Sequence, residues 1–182
     1  MESFFQPLCT LSTIFWGMEN TLETEHFYVI GVNSIRRRYH TRGHISLSQI
    51  QEIDLKLQQA PTHKIKLIAA HQPFYTPPDH SHGVKDCPML GRIALEQWSQ
   101  HGLNGLLHGH LHHAAVYDLN QIYQLGVSHP VLDIHAGTAT SYRLHAGLPN
   151  SLNIILPNAD VQHFSFNAET NRFELMQQNT SD

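Results

Sequence analysis

In the run Leu106-Leu107-His108-Gly109-His110-Leu111-His112-His113, two imidazoles one residue apart follow a glycine at the end of a short apolar segment. On a strand, that spacing puts both rings on one face; on a loop behind a strand it can aim both into one small volume. Glycine lacks the Cβ clash that resists a tight turn, so Gly109 is the expected pivot. A second segment repeats the design. Leu67-Ile68-Ala69-Ala70 is apolar, and His71-Gln72-Pro73 follows it, the proline stiffening the backbone. Neutral imidazoles converging from two strand ends suit a divalent transition metal. The competing reading is of ordinary surface histidines, since the chain has 16 of them in 182 residues.

The elements that must position these residues can be read from pattern. His26 to Val32 is rich in β-branched and aromatic residues and reads as a strand. Ser46 with Gln49 three residues on forms a capping box, and Leu47, Ile50, Ile53 and Leu57 recur at helical spacing until Pro61. Lys64 to Ala70 is the next strand. A long loop from His71 to Cys87 follows, of the length that in a compact domain is often functional. Leu90 to His101 reads as a second helix, closed by Gly102 as a C′ glycine, and Leu103 to Leu107 as a third strand. Strand, helix, strand, helix, strand implies an α/β fold with parallel pairing. Ligand sites in such sheets lie beyond the carboxyl ends of the strands, where His71, His110 and His112 fall. Ala114–Tyr117, Val131–His135, Leu152–Leu156, Val161–Phe166 and Arg172–Leu175 read as short strands of an antiparallel tail. Leu95 and Trp98 are assigned to the core. Asp118 and Asp133 are expected to face solvent, and Arg36-Arg37-Arg38 to lie on a solvated loop.

Composition narrows the classes of function. A net charge of −4 argues against sequence-independent nucleic-acid binding, which needs a basic surface. Cys9 and Cys87 are too few for a disulfide framework, and no segment is long enough to span a bilayer. Met1 to Gly17 lacks the basic start of a secretory leader, so a cytoplasmic location is expected. Cys87 has no activating basic partner evident in the sequence.

The two histidine segments together resemble the calcineurin-like metallophosphoesterases. That family runs D-x-H, G-D, G-N-H-D/E, H-H-P or H-x-P, then G-H-x-H; here His71-Gln72-Pro73 and Gly109-His110-Leu111-His112 stand in the last two places. Gly31-Val32-Asn33-Ser34 is similar to the family's G-L-D-S, and Gly43-His44-Ile45-Ser46 with Gln49 to its G-x-L-S-x-x-Q helix start. His135-Ala136-Gly137-Thr138, Arg143 and Pro149-Asn150-Ser151-Leu152-Asn153 resemble the tail of bacterial cyclic-nucleotide-phosphodiesterase-type members.

The resemblance implies a partial metallophosphoesterase-type β-sandwich flanked by helices, a mixed sheet without the family's N-terminal strands. Residues 1–25 would be an irregular lead-in, 26–176 the C-terminal portion of the phosphoesterase domain and 177–182 a polar tail. It further implies hydrolysis of phosphodiesters, cyclic nucleotides among them, by water activated between two divalent metals (Mn, Fe or Zn). Carried over, His71 and His110 share one metal and His112 belongs to its neighbour. Gln72 stands where the family often has a second histidine and would offer substrate an amide hydrogen bond. His80 and His82, with Asp79, lie on the loop above and are candidate substrate contacts.

The chain lacks the family's G-D and G-N-H motifs, and its single D-x-H, Asp133-Ile134-His135, comes after the histidine motifs rather than before them. Three neutral histidines do not balance two divalent charges. The expectation is therefore of the C-terminal part of a longer phosphoesterase, completed by a separate or missing N-terminal half. Alone it would hold one metal weakly and turn over little. Its bare parallel edge and apolar faces would invite homo-oligomers. The alternative is a non-catalytic binding or scaffold module keeping the phosphoesterase fold, and a third reading is a histidine-rich metal binder.

Overall fold

The capping box is formed as the sequence specifies: the Ser46 side chain accepts from the Gln49 amide, the Gln49 side chain accepts from the Ser46 amide, and helix α1 runs Leu47–Gln59. The computed structural model describes residues 20–35, 42–78, 83–140, 142 and 147–176. In chain order these carry β1 (Thr21–Glu23), β2 (Phe27–Gly31), α1, β3 (Ile65–Ala69), a 3-10 turn (Gly83–Asp86) and α2 (Gly91–Ser99). There follow β4 (Leu103–His108), β5 (Ala115–Asp118), α3 (Leu119–Tyr123), β6 (Leu132–His135), β7 (Ser151–Ile155), β8 (Val161–Asn167) and β9 (Arg172–Leu175).

The architecture is α/β with a mixed sheet. Six strands lie in the order β1-β2-β3-β4-β6-β5, and β7-β8-β9 form a separate antiparallel sheet. The β2–β3, β3–β4 and β4–β6 pairings are parallel, so all four strands deliver their carboxyl ends to one side. Ile30, Ile68 and Leu106 fall in one register row. With Ile50, Ile53 and Leu57 of α1, and Leu95 and Trp98 of α2, they make one buried cluster. Trp98 is fully buried, and its indole Nε1 donates to the Ile50 carbonyl at 3.0 Å, tying α2 to α1.

Three expectations change. Thr21–Glu23, assigned to an irregular lead-in, forms β1 and pairs antiparallel with β2; with β5 antiparallel on β6, neither side of the parallel block is left bare. Second, β6 is not part of an antiparallel tail but the fourth parallel strand. Asp118 caps α3 by accepting from Asn120 N, and Gln124 and Gly126 then take left-handed φ values of 53° and 74°. That turn carries the chain back so that β6 enters beside β4 in the same direction. Third, Asp133 does not face solvent: it is completely buried on β6.

Candidate metal centre

At the carboxyl ends of the parallel strands stand several histidines. His71 follows β3, and its amide donates to the Oγ of buried Ser34, which follows β2, at 3.2 Å. His110 follows β4. His71 Nε2 and His110 Nδ1 lie 3.2 Å apart, the rings nearly perpendicular at 78°. Two nitrogens bound tetrahedrally to one ion at about 2.0–2.1 Å stand about 3.3 Å apart, so the pair, hydrogen-bonded as it stands, has a spacing that a shared ion would also accept. On the far side of the His110 ring, Nε2 faces the buried Asp86 carboxylate at 3.5 Å. A proton held there leaves the Nδ1 lone pair turned toward His71, the way a carboxylate orients a ligating imidazole.

The backbone is bent to aim these rings. His110 and His112 take left-handed φ values of 65° and 54°, a region that non-glycine residues enter seldom and that clusters at functional sites. Gly109, the expected pivot, does not have positive φ; the turn is made by the histidines. His112 Nδ1 shares a hydrogen bond with Thr138 Oγ1 at 2.6 Å, beyond the end of β6. Burial first, and then the neighbouring charges of His110, His108 and His112, hold His71 below its usual pKa. Kept neutral, its ring is available as a ligand.

Beneath this pair sits a group that the sequence reading passed over. His108 and His135 are paired in register across β4 and β6, and with Asp133 they are buried. Ligand atoms of His108, Asp133 and His135, one from each, all lie within 4.8 Å of one another. Burial alone would push the Asp133 carboxyl up; His108 and then His135 outweigh it and hold it below the usual range. Burial in turn keeps His135 below its ordinary value. Asp133 Oδ2 also accepts from the Tyr75 amide at 3.0 Å, fixing the loop that carries His71. The alternation Leu132-Asp133-Ile134-His135 beside Gly109 was the signal available: two polar residues on the face of a central strand need partners.

The other candidates fall elsewhere. Gln72, expected at a substrate phosphate, is 1% exposed and its Oε1 accepts from Ser34 Oγ; it fastens one strand-end loop to another. Asp79, His80, His82, the three arginines Arg36–Arg38 and Arg143 lie outside the described residues. Cys87 is no activated nucleophile, since burial pushes its thiol up to about 11. A cavity of about 490 Å³ at the opposite end of the sheet includes Lys66, His101 and His129 in its lining. Their polar atoms are already engaged: Lys66 Nζ donates to two backbone carbonyls, His101 bonds Asp54 and His129 bonds the Leu103 carbonyl.

No family model matches the chain, and no curated protein matches it by sequence. Among solved structures, a Staphylococcus aureus protein provisionally described as a 5'-nucleotidase, determined in complex with alpha-ketoglutarate, is similar with a TM-score of 0.43 at 13% identity. The alignment covers 86% of this chain and 28% of that one, so the chain spans just over a quarter of its length. The molecule is an α/β protein with histidines and carboxylates grouped at the carboxyl ends of its parallel strands. No helix among the described residues is long and apolar enough to cross a membrane.

Proposed function

We propose that this chain carries the histidine side of a metal-dependent phosphoesterase centre, with phosphodiesters as the substrate class. One observation carries the reading: His71 and His110, delivered by adjacent parallel strands, place their nitrogens 3.2 Å apart with the Asp86 carboxylate behind His110. Imidazole with carboxylate suits Mn, Fe or Zn rather than Ca or Mg. A divalent ion held there supplies Lewis-acid stabilisation of a phosphoryl oxygen and a lowered pKa for water. The chain's own residues do the rest. Ser34 and Asp133 fix the backbone of the His71 loop. Asp86 sets the tautomer of His110 and contributes a negative charge that neutral histidines lack. His112, held by Thr138, flanks the pair and serves a neighbouring position.

The test is hydrolysis of bis-p-nitrophenyl phosphate by the 182-residue chain with Mn, Zn or no added metal. Turnover abolished by chelation, and reduced at least about a hundredfold in His110→Ala, supports the reading; removing a group that stabilises charge in a transition state costs about that much. Bound metal without turnover would leave the histidine-rich metal binder. Neither metal nor turnover would favour the non-catalytic binding or scaffold module.

A further inference from the structure

We propose that His108, Asp133 and His135 form a second, fully buried site for a divalent transition-metal ion, beneath the His71–His110 pair and sharing no residue with it. The inference rests on three atoms. Among the described residues, His108 Nε2, Asp133 Oδ1 and His135 Nδ1 are buried with no hydrogen-bond partner, one from each member of the group. Buried polar atoms are paired in the great majority of cases, and one ligand atom from each of these three side chains lies within 4.8 Å of the other two.

Each orphan is left over by a bond that its own side chain makes elsewhere. His108 Nδ1 lies 3.4 Å from the Gly109 carbonyl, which can only accept, so Nδ1 is engaged there and Nε2 is the atom turned to the carboxylate. Asp133 uses Oδ2 to accept from the Tyr75 amide and from His135 Nε2, at 3.0 and 3.1 Å. That bond turns His135 Nε2 toward the carboxylate, so Nε2, giving up its proton, is the atom of that ring an ion beside Asp133 would take. His108 Nε2 then faces Asp133 Oδ1 at 3.0 Å without hydrogen-bond alignment. An ion between the two would be ligated by both, in place of the ion pair they form without it. Their separation is near the edge of a tetrahedral site with bonds of about 2.0–2.2 Å. Two imidazoles and one carboxylate select Zn, Fe(II) or Mn over Ca or Mg. Because two of the ligands precede Gly109 and Ala136 on paired strands, the ion would clamp β4 to β6 under the loop that carries His110. This site does not depend on the chain being a hydrolase.

The test uses the intact chain with His71→Ala and His110→Ala combined, stripped with a chelator and reloaded with Co(II) as the spectroscopic probe. The site predicts that this variant, folded by circular dichroism, retains one Co(II) per chain with the visible d–d absorption of a low-coordinate N/O site. Adding Asp133→Asn lowers Co(II) affinity by more than about a hundredfold, beyond the 10–100-fold that losing a supporting residue costs. Because Asp133 also holds the Tyr75 amide, His135→Gln is the companion change: it spares that bond and must lose the ion as well. A folded double variant that binds no Co(II), or Co(II) binding unchanged by His135→Gln, overturns the proposal. Hydrolysis plays no part in the readout, so its outcome is independent of the phosphodiester assay.

Discussion

At the scale of single residues, the candidate centre depends on groups that never touch a ligand. Ser34 is fully buried, accepts from the His71 amide and donates to Gln72. Ser34→Ala takes the acceptor from the His71 amide, and a buried unsatisfied group costs about 1–3 kcal/mol. The expected outcome is a lower Tm together with weaker metal binding, read by thermal melts with and without Mn. Gly43 is the counterpart: a Cβ there would stand 2.9 Å from the Gln72 side chain. Gly43→Ala therefore pushes Gln72 off Ser34, and its metal affinity is expected to fall in the same direction. The histidines of the candidate centre, His71, His110 and His112, were legible as types and spacing. Asp86 and Asp133 were not, because a carboxylate's partner is set by which strands become neighbours, and that is not written in local sequence.

Among the elements, two contacts decide how the sheet and its covering layer stay together. Trp98→Phe removes the Nε1 bond to the Ile50 carbonyl, a loss of about 0.5–1.5 kcal/mol because the carbonyl keeps its helical partner, while Trp98→Ala empties the core by about 3–5 kcal/mol. Denaturant unfolding orders the two variants that way. At the other junction, a Cβ on Gly137 would sit 1.9 Å from Ser151 Oγ, so the loop after β6 and strand β7 are in direct contact. Gly137→Ala is expected to lower Tm, and Ser151→Ala added to it to restore part of the loss, since the remaining Cβ contact at 3.2 Å is tight but tolerable. Helices α1 and α2 and strands β2, β3 and β4 were legible because capping, periodicity and β-branched runs are local signals. β1 spans three residues and α3 five, too short for periodicity to mark. The parallel direction of β6 follows from the left-handed turn after α3, which no apolar pattern encodes.

For the whole molecule, the histidine content makes stability fall on the acid side. His163 on β8 is held below its usual pKa by burial first and then by His113. A histidine with a depressed folded pKa stabilises the fold above its unfolded value of about 6.5 and loses that contribution as pH falls below it. In chelator, so that metal release plays no part, Tm is expected to decline from pH 7.5 to pH 5.5, and His163→Gln to make the decline shallower. A slope that is unchanged in that variant would place the acid sensitivity elsewhere.

The pairing of His71 with His110 around one ion is most directly tested by counting bound metal after equilibrium dialysis with Zn or Mn, in the unaltered chain and in His110→Ala. The account predicts that the variant, still folded, binds one ion fewer per chain. Equal metal content in the two proteins would contradict it.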